Sequence, residues 1–329
     1  MPEFPSKSVC RWRKADNFRR SQALNFELQT NSAKLEFVQN YESNESTNFP
    51  PPPVREETIL SDALPVSPDN PPWNSWAAIG IWLASIAFII IFPLIFLIGY
   101  LVKIHFNLAD GAALAEFAKT DATAVLLQVI AVIPAHIFTL LAAWLVVTRF
   151  NKFSFRETLG WRWNGFSIWT CIGIVGGFFI LASVISYFVS EQDNEFLRML
   201  KTSQAVVYVV AFLATFTAPL VEEVVYRGML YSAFQKTLGV PAAVILATAL
   251  FALVHVPQYW GSPSTIFLIC LLSLVLTLVR VRTKNLLPCI ALHTVFNGSQ
   301  SLLLIFQPYV EEYMKNHQSQ TGFFLHFFK

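Results

Sequence analysis

The chain has 329 residues, of which 54% are hydrophobic and 13% charged, and its formal net charge is +2. A soluble domain carries about 25% charged residues, so this composition excludes an ordinary water-soluble globule. The net charge is too small to indicate a nucleic-acid partner, and the position of the basic residues carries more information than their sum.

Residues 1–75 differ from the rest. They hold prolines at 50–53 and again at 65, 68, 71 and 72, are rich in Ser, Asn and Glu, and show no sustained apolar periodicity. This composition predicts a disordered cytosolic tail. Its first twenty residues are basic (Lys7, Arg11, Arg13, Lys14, Arg19 and Arg20), but no apolar stretch follows them as a signal peptide requires. With no catalytic motif in it, the tail is expected to be dispensable for chemistry.

Seven apolar runs follow, at 76–102, 122–148, 166–190, 202–221, 240–259, 265–279 and 285–306. Runs of roughly 18 or more apolar residues span a bilayer as helices. The expected fold is therefore an all-α, polytopic membrane bundle of about seven transmembrane helices over 76–310. The sixth run is short for a full crossing unless residues 261–264 extend it. The C-terminal segment 311–329 ends in an aromatic stretch, 322–328, too short to span but able to form a partial eighth helix. Of the cysteines, Cys171, Cys270 and Cys289 lie in apolar runs without metal-ligand spacing and read as small buried hydrophobes.

Loop charges orient the bundle. Arg149, Lys152, Arg156 and Arg162 follow the second run, Lys236 follows the fourth, and Arg280, Arg282 and Lys284 follow the sixth. All three loops have the same parity, and the positive-inside rule assigns them to the cytoplasm. The N-terminus is then cytoplasmic and the C-terminus outside. No internal repeat is evident, which speaks against a transporter built from repeats.

The chemistry is concentrated between 200 and 300. Glu222, Glu223 and Arg227 lie together in Val-Glu-Glu-Val-Val-Tyr-Arg-Gly. An acidic side chain near a bilayer centre costs about 2.5–3.5 kcal/mol on insertion scales, so adjacent glutamates there must be compensated or functional. Arg227 is four residues after Glu223, on the same helix face, and compensates it. Glu222 is rotated about 100° away and has no partner in its own helix. Phe251 and His255 form a second i,i+4 pair, and His293 and Asn297 a third. His136, alone in the second run, has no motif around it and reads as an interhelical hydrogen-bonding residue. Glu222 and His255 are equally far from a turn near residue 238, about 25 Å along each helix. His293 reaches their level if that helical hairpin projects about 13 Å beyond the membrane.

Glu-Glu-x-x-x-Arg, Phe-x-x-x-His and His-x-x-x-Asn, in that order on successive helices, resemble the CAAX prenyl protease type II family, also called CPBP or Abi. The resemblance covers roughly residues 200–300 and has no departure at a motif position. It implies an intramembrane endopeptidase in which Glu222 activates water with help from His255, and His293 and Asn297 stabilise the oxyanion. Glu223, Arg227 and Phe251 would support the site. Two Glu and two His also leave a zinc site open, with Glu222, His255 and His293 as ligands. The implied partners are the lipid bilayer and a peptide or protein substrate, prenylated or a peptide precursor, with the cell membrane of a bacterium as the expected location. A non-cleaving immunity protein and a proton-coupled transporter are the competing readings, and a peptidase assay on purified protein separates them.

Overall fold

In the computed structural model, residues 65–189 and 194–316 are described. The tail reading for residues 1–64 and the partial eighth helix at 322–328 fall outside the described residues.

The described chain is helical, with no strands. Helix α1 spans Ser75–Lys103. A short α2, Gly111–Thr120, precedes α3, Ala122–Thr148. After the single turn α4, Phe155–Leu159, come α5, Ile168–Phe188, and the short α6, Glu195–Leu200. Helix α7 runs unbroken over Gln204–Leu238, and α8 covers Val240–His255. Helices α9, Pro263–Thr283, and α10, Leu287–Asn316, complete the bundle. Six of these are long and apolar enough to cross a bilayer, and α8 is a shorter apolar helix. The protein is therefore an integral, multi-pass membrane protein.

Several boundaries differ from the sequence expectation. Helix α7 does not stop at residue 221, because its charged residues are paired inside the bundle. The fifth run was expected to reach residue 259, but α8 ends at His255. Pro257 lacks an N–H and disfavours helix in the residue before it. Tight turns follow, closed by Tyr259 N–H to the His255 carbonyl and Ser262 N–H to that of Tyr259. The short sixth run gains two residues before it and four after it, and Pro263 is tolerated in a first helical turn. The last helix continues beyond residue 310 to Asn316.

Gly239 joins α7 to α8 at φ 82°, a backbone conformation that side chains resist and glycine accepts. The segment before α1 packs against α7 and α9 near this turn. Trp73 is buried there and its indole donates to the Met229 carbonyl at 3.2 Å. Lys236 donates to the Pro71 carbonyl at 3.1 Å, and the Ser75 and Thr237 hydroxyls lie 3.0 Å apart. Arg280, only 1% exposed, donates to the Asp69 carboxylate at 3.2 Å and the Pro68 carbonyl at 2.8 Å, and faces the Tyr231 ring. Residues 65–74 thus dock on the bundle, although their composition places them with the tail.

The basic loops meet at this same end. Leu286 N–H donates to the Gly160 carbonyl at 2.8 Å, and Asn164 to the Thr283 carbonyl at 2.7 Å. At the opposite end Lys119 pairs with Glu195 at 2.8 Å, and Asn194 donates to Ser262 at 3.2 Å.

Deleting residues 2–64 should shift the apparent Tm of detergent-solubilised protein by less than about 2 °C. Deleting 2–74 removes the Trp73 anchor and the partners of a buried arginine, and should lower it on the order of 10 °C. A thermal shift measured on both truncations checks this; equal Tm values would mean that the docked segment contributes nothing.

Candidate active site

The site is built on an irregular stretch of α7. Leu213–Thr217 and Val224–Leu230 are π-helical turns on either side of the segment that carries Glu222 and Glu223. The first has a cause in the sequence. In the widened turn Ala218 N–H bonds to the Leu213 carbonyl, so it no longer serves Ala214. The next residue is Pro219, which has no N–H to offer. The Ala214 carbonyl is left without a backbone donor, and Asn297 on α10 supplies one at 2.9 Å. Gly298 lets α10 approach this turn, since an added Cβ would stand 3.3 Å from the Thr215 methyl.

Glu223 and Arg227 are completely buried. Arg227 donates to Glu223 Oε1 at 2.9 Å, to the Ser273 carbonyl and hydroxyl at 2.8 Å each, and to Thr277 Oγ1 at 3.3 Å. Its guanidinium lies 4.7 Å from the centre of the Phe251 ring. A buried charge is tolerated only when paired and hydrogen-bonded. Arg227 and Glu223 Oε1 meet both conditions, whereas Glu223 Oε2 is buried with no hydrogen-bond partner among the described residues. Ser273 and Thr277 are themselves an i,i+4 pair on α9, a signal present in the sequence that the motif reading passed over.

The same oxygen of Glu223 receives His293 Nδ1 at 2.8 Å. A carboxylate only accepts, so Nδ1 carries the proton and Nε2 is the nitrogen left to the site. Glu222 Oε2 lies 3.8 Å from that Nε2, and its side chain keeps 25% of its exposure. The bond from Glu223 to His293 brings these two residues of α7 and α10 to one level.

His255 is partly buried at the end of α8. Its Nδ1 is 2.8 Å from the Phe251 carbonyl, an acceptor, so Nδ1 again donates and Nε2 is left unengaged. The ring stacks on Phe251 at 4.8 Å, and Phe251 meets His293 at 6.1 Å. Phe251 is therefore the wall on which Arg227, His255 and His293 converge. Six of the seven motif residues form one contiguous group. Asn297 sits apart from it, a turn along α10 from His293, holding the Ala214 carbonyl.

The anchored Nδ1–H atoms resemble those of metal-bound histidines, whose second nitrogen is commonly fixed in this way. The donor set itself does not converge. Among the described residues no three His, Cys, Asp or Glu side chains group as metal ligands, so Glu222, His255 and His293 do not form the tetrahedral set that zinc requires.

Two residues outside the assigned site pack near it. His136 is buried on α3 with Nδ1 2.9 Å from Thr217 Oγ1, at the end of the first π turn, the interhelical contact expected of it. No periodicity or motif in its run could have indicated this partner. Tyr226, inside the first motif, accepts a hydrogen bond from Trp82 Nε1 at 3.0 Å and meets the Phe251 ring edge-on at 5.0 Å.

A family model described as Type II CAAX prenyl endopeptidase Rce1-like matches residues 203–299. That interval contains all three motifs and supports the CAAX prenyl protease type II resemblance. No curated protein and no solved structure matches the chain.

Glu223→Gln should be primarily a stability defect. It weakens the bonds to Arg227 and His293 together, a loss of roughly 3 kcal/mol for a broken buried pair. Lower yield and a lower Tm in a purified sample are the expected readouts. Unchanged stability with selectively abolished turnover would instead put Glu223 in the chemistry.

Proposed function

We propose that this protein is a membrane-embedded endopeptidase of the CAAX prenyl protease type, with Glu222 as its general base. The observation that carries the reading is the division of labour between the adjacent glutamates. Glu223 is buried and held by Arg227 and His293, whereas Glu222 is accessible, has no ion-pair partner in its own helix among the described residues, and faces His293 Nε2. The family match over the same residues supports peptide-bond hydrolysis.

Glu222 takes a proton from water as the water oxygen attacks the scissile carbonyl carbon. His255 Nε2, held by its Nδ1 anchor, assists at that water. The carbonyl π electrons move to oxygen, and donors from α10 stabilise the resulting oxyanion. His293 contributes when Nε2 is protonated, and Asn297 contributes with the amide hydrogen not bound to Ala214. When the carbon–nitrogen bond breaks, the acquired proton passes to the leaving amine. The substrate is a membrane-associated peptide or protein, prenylated or a peptide precursor, reached from the basic end or laterally from lipid.

Glu222→Gln should remove nearly all turnover of a reporter peptide while leaving its binding and the Tm unchanged, because the amide is nearly isosteric but takes no proton. Wild-type turnover in that variant would sink the assignment and move the immunity or transport readings ahead. Asn297→Ala should cost roughly 10²–10³-fold in turnover, the usual effect of one oxyanion donor. It should also lower Tm, because it orphans the Ala214 carbonyl.

The clustering of Arg149, Lys152, Arg156, Arg162, Lys236, Arg280, Arg282 and Lys284 at one end supports a cytoplasmic basic end. Seven traverses then carry the C-terminus outside. A reporter fused after Lys329 should read extracytoplasmic; a cytoplasmic reading would require a further crossing beyond Asn316.

A further inference from the structure

Tyr226 follows Glu222 by one helical turn on the same side of α7. It is 5% exposed. The bond to Trp82 fixes how that hydroxyl is used. An indole N–H only donates, so at 3.0 Å the phenol oxygen must be the acceptor and its own proton must point elsewhere. Among the described residues no acceptor receives that proton. A buried O–H with no acceptor is costly, and such exceptions call for an explanation by bound water or ligand.

The ring cannot easily turn away. It packs edge-on with Phe251 at 5.0 Å, the ring on which His255 stacks. The hydroxyl thus belongs to a side chain one turn along α7 from Glu222 and one ring removed from His255, with a donor ready. A peptide substrate offers carbonyl oxygens, which are acceptors, and the site is short of donors because Asn297 has one amide hydrogen engaged by Ala214.

We propose that Tyr226, oriented by Trp82, donates its phenolic hydrogen bond to the scissile carbonyl oxygen of the bound peptide as that oxygen becomes an oxyanion. This rests on the endopeptidase reading given above. No bond to Tyr226 is made or broken; its proton stays on the phenol oxygen throughout. The bond strengthens as negative charge develops, so it acts on kcat more than on substrate binding.

The test uses purified full-length protein and an internally quenched farnesylated CAAX-type peptide. Tyr226→Phe keeps the ring and its contact with Phe251 and removes only the hydroxyl. Its kcat should fall about 10²-fold, with KM within about threefold and Tm within about 2 °C of wild type. Trp82→Phe leaves the phenol but frees its orientation and should lose roughly 10-fold. Turnover by Tyr226→Phe within twofold of wild type overturns the proposal, as does a loss that tracks a fall in Tm. Glu222→Gln, measured alongside, keeps the two ideas apart: full activity there defeats the general-base reading whatever Tyr226→Phe does. If the wild type leaves this peptide uncleaved, affinity for its aldehyde analogue, whose hydrate mimics the tetrahedral intermediate, is compared instead. A loss of similar size in Tyr226→Phe supports the assignment, and equal affinity overturns it.

Discussion

The bond between Glu223 and Arg227, shared with His293, is the constraint from which the rest of the site follows. It draws α7, α9 and α10 together around a fully buried ion pair, in surroundings where an unpaired charge of either sign is strongly disfavoured. Helices in a bilayer gain no hydrophobic driving force from one another, so interhelical polar bonds and close packing have unusual influence on register. Here one carboxylate oxygen sets the depth of α10 against α7.

The same end of the bundle holds features remote from the chemistry. The segment before α1 covers polar groups of α7 and α9 there. Trp73 closes the side of α7, while Arg280 uses Asp69 and Pro68 as its hydrogen-bond acceptors. Both Glu222 and His255 belong to this hairpin, one on each arm, so whatever steadies the tip also steadies the two groups assigned to water activation. The coupling runs through packed helices and needs no moving part.

The irregular backbone of α7 performs a related task. The π turns and Pro219 release carbonyls that an ordinary helix would satisfy internally. The donors that reach them, Asn297 above all, come from neighbouring helices. Asn297 is thereby fixed with one hydrogen engaged, which qualifies the role its motif implies and raises the importance of other donors. Membrane helices tolerate such defects where protein groups replace the missing bonds, and they recur at functional sites.

By itself the sequence determined the class of the protein, the run of apolar helices, the common side of the basic loops and the pairing of Glu223 with Arg227. Each of these follows from local composition or from i,i+4 periodicity, which act within one helix. It also allowed His293 to reach the level of Glu222 and His255 if the hairpin projects, because rise per residue is a fixed length. Only the tertiary structure decided which atoms of His293 are engaged, that Asn297 serves Ala214, and that Ser273 and Thr277 complete the shell around Arg227. It likewise joined His136 to Thr217 and Tyr226 to Trp82, and docked residues 65–74, which by composition belong with the tail. These are contacts between segments far apart in the chain. A histidine in an apolar run or a tryptophan after two prolines has the same local pattern whether or not a partner waits across the bundle, so periodicity is silent about it.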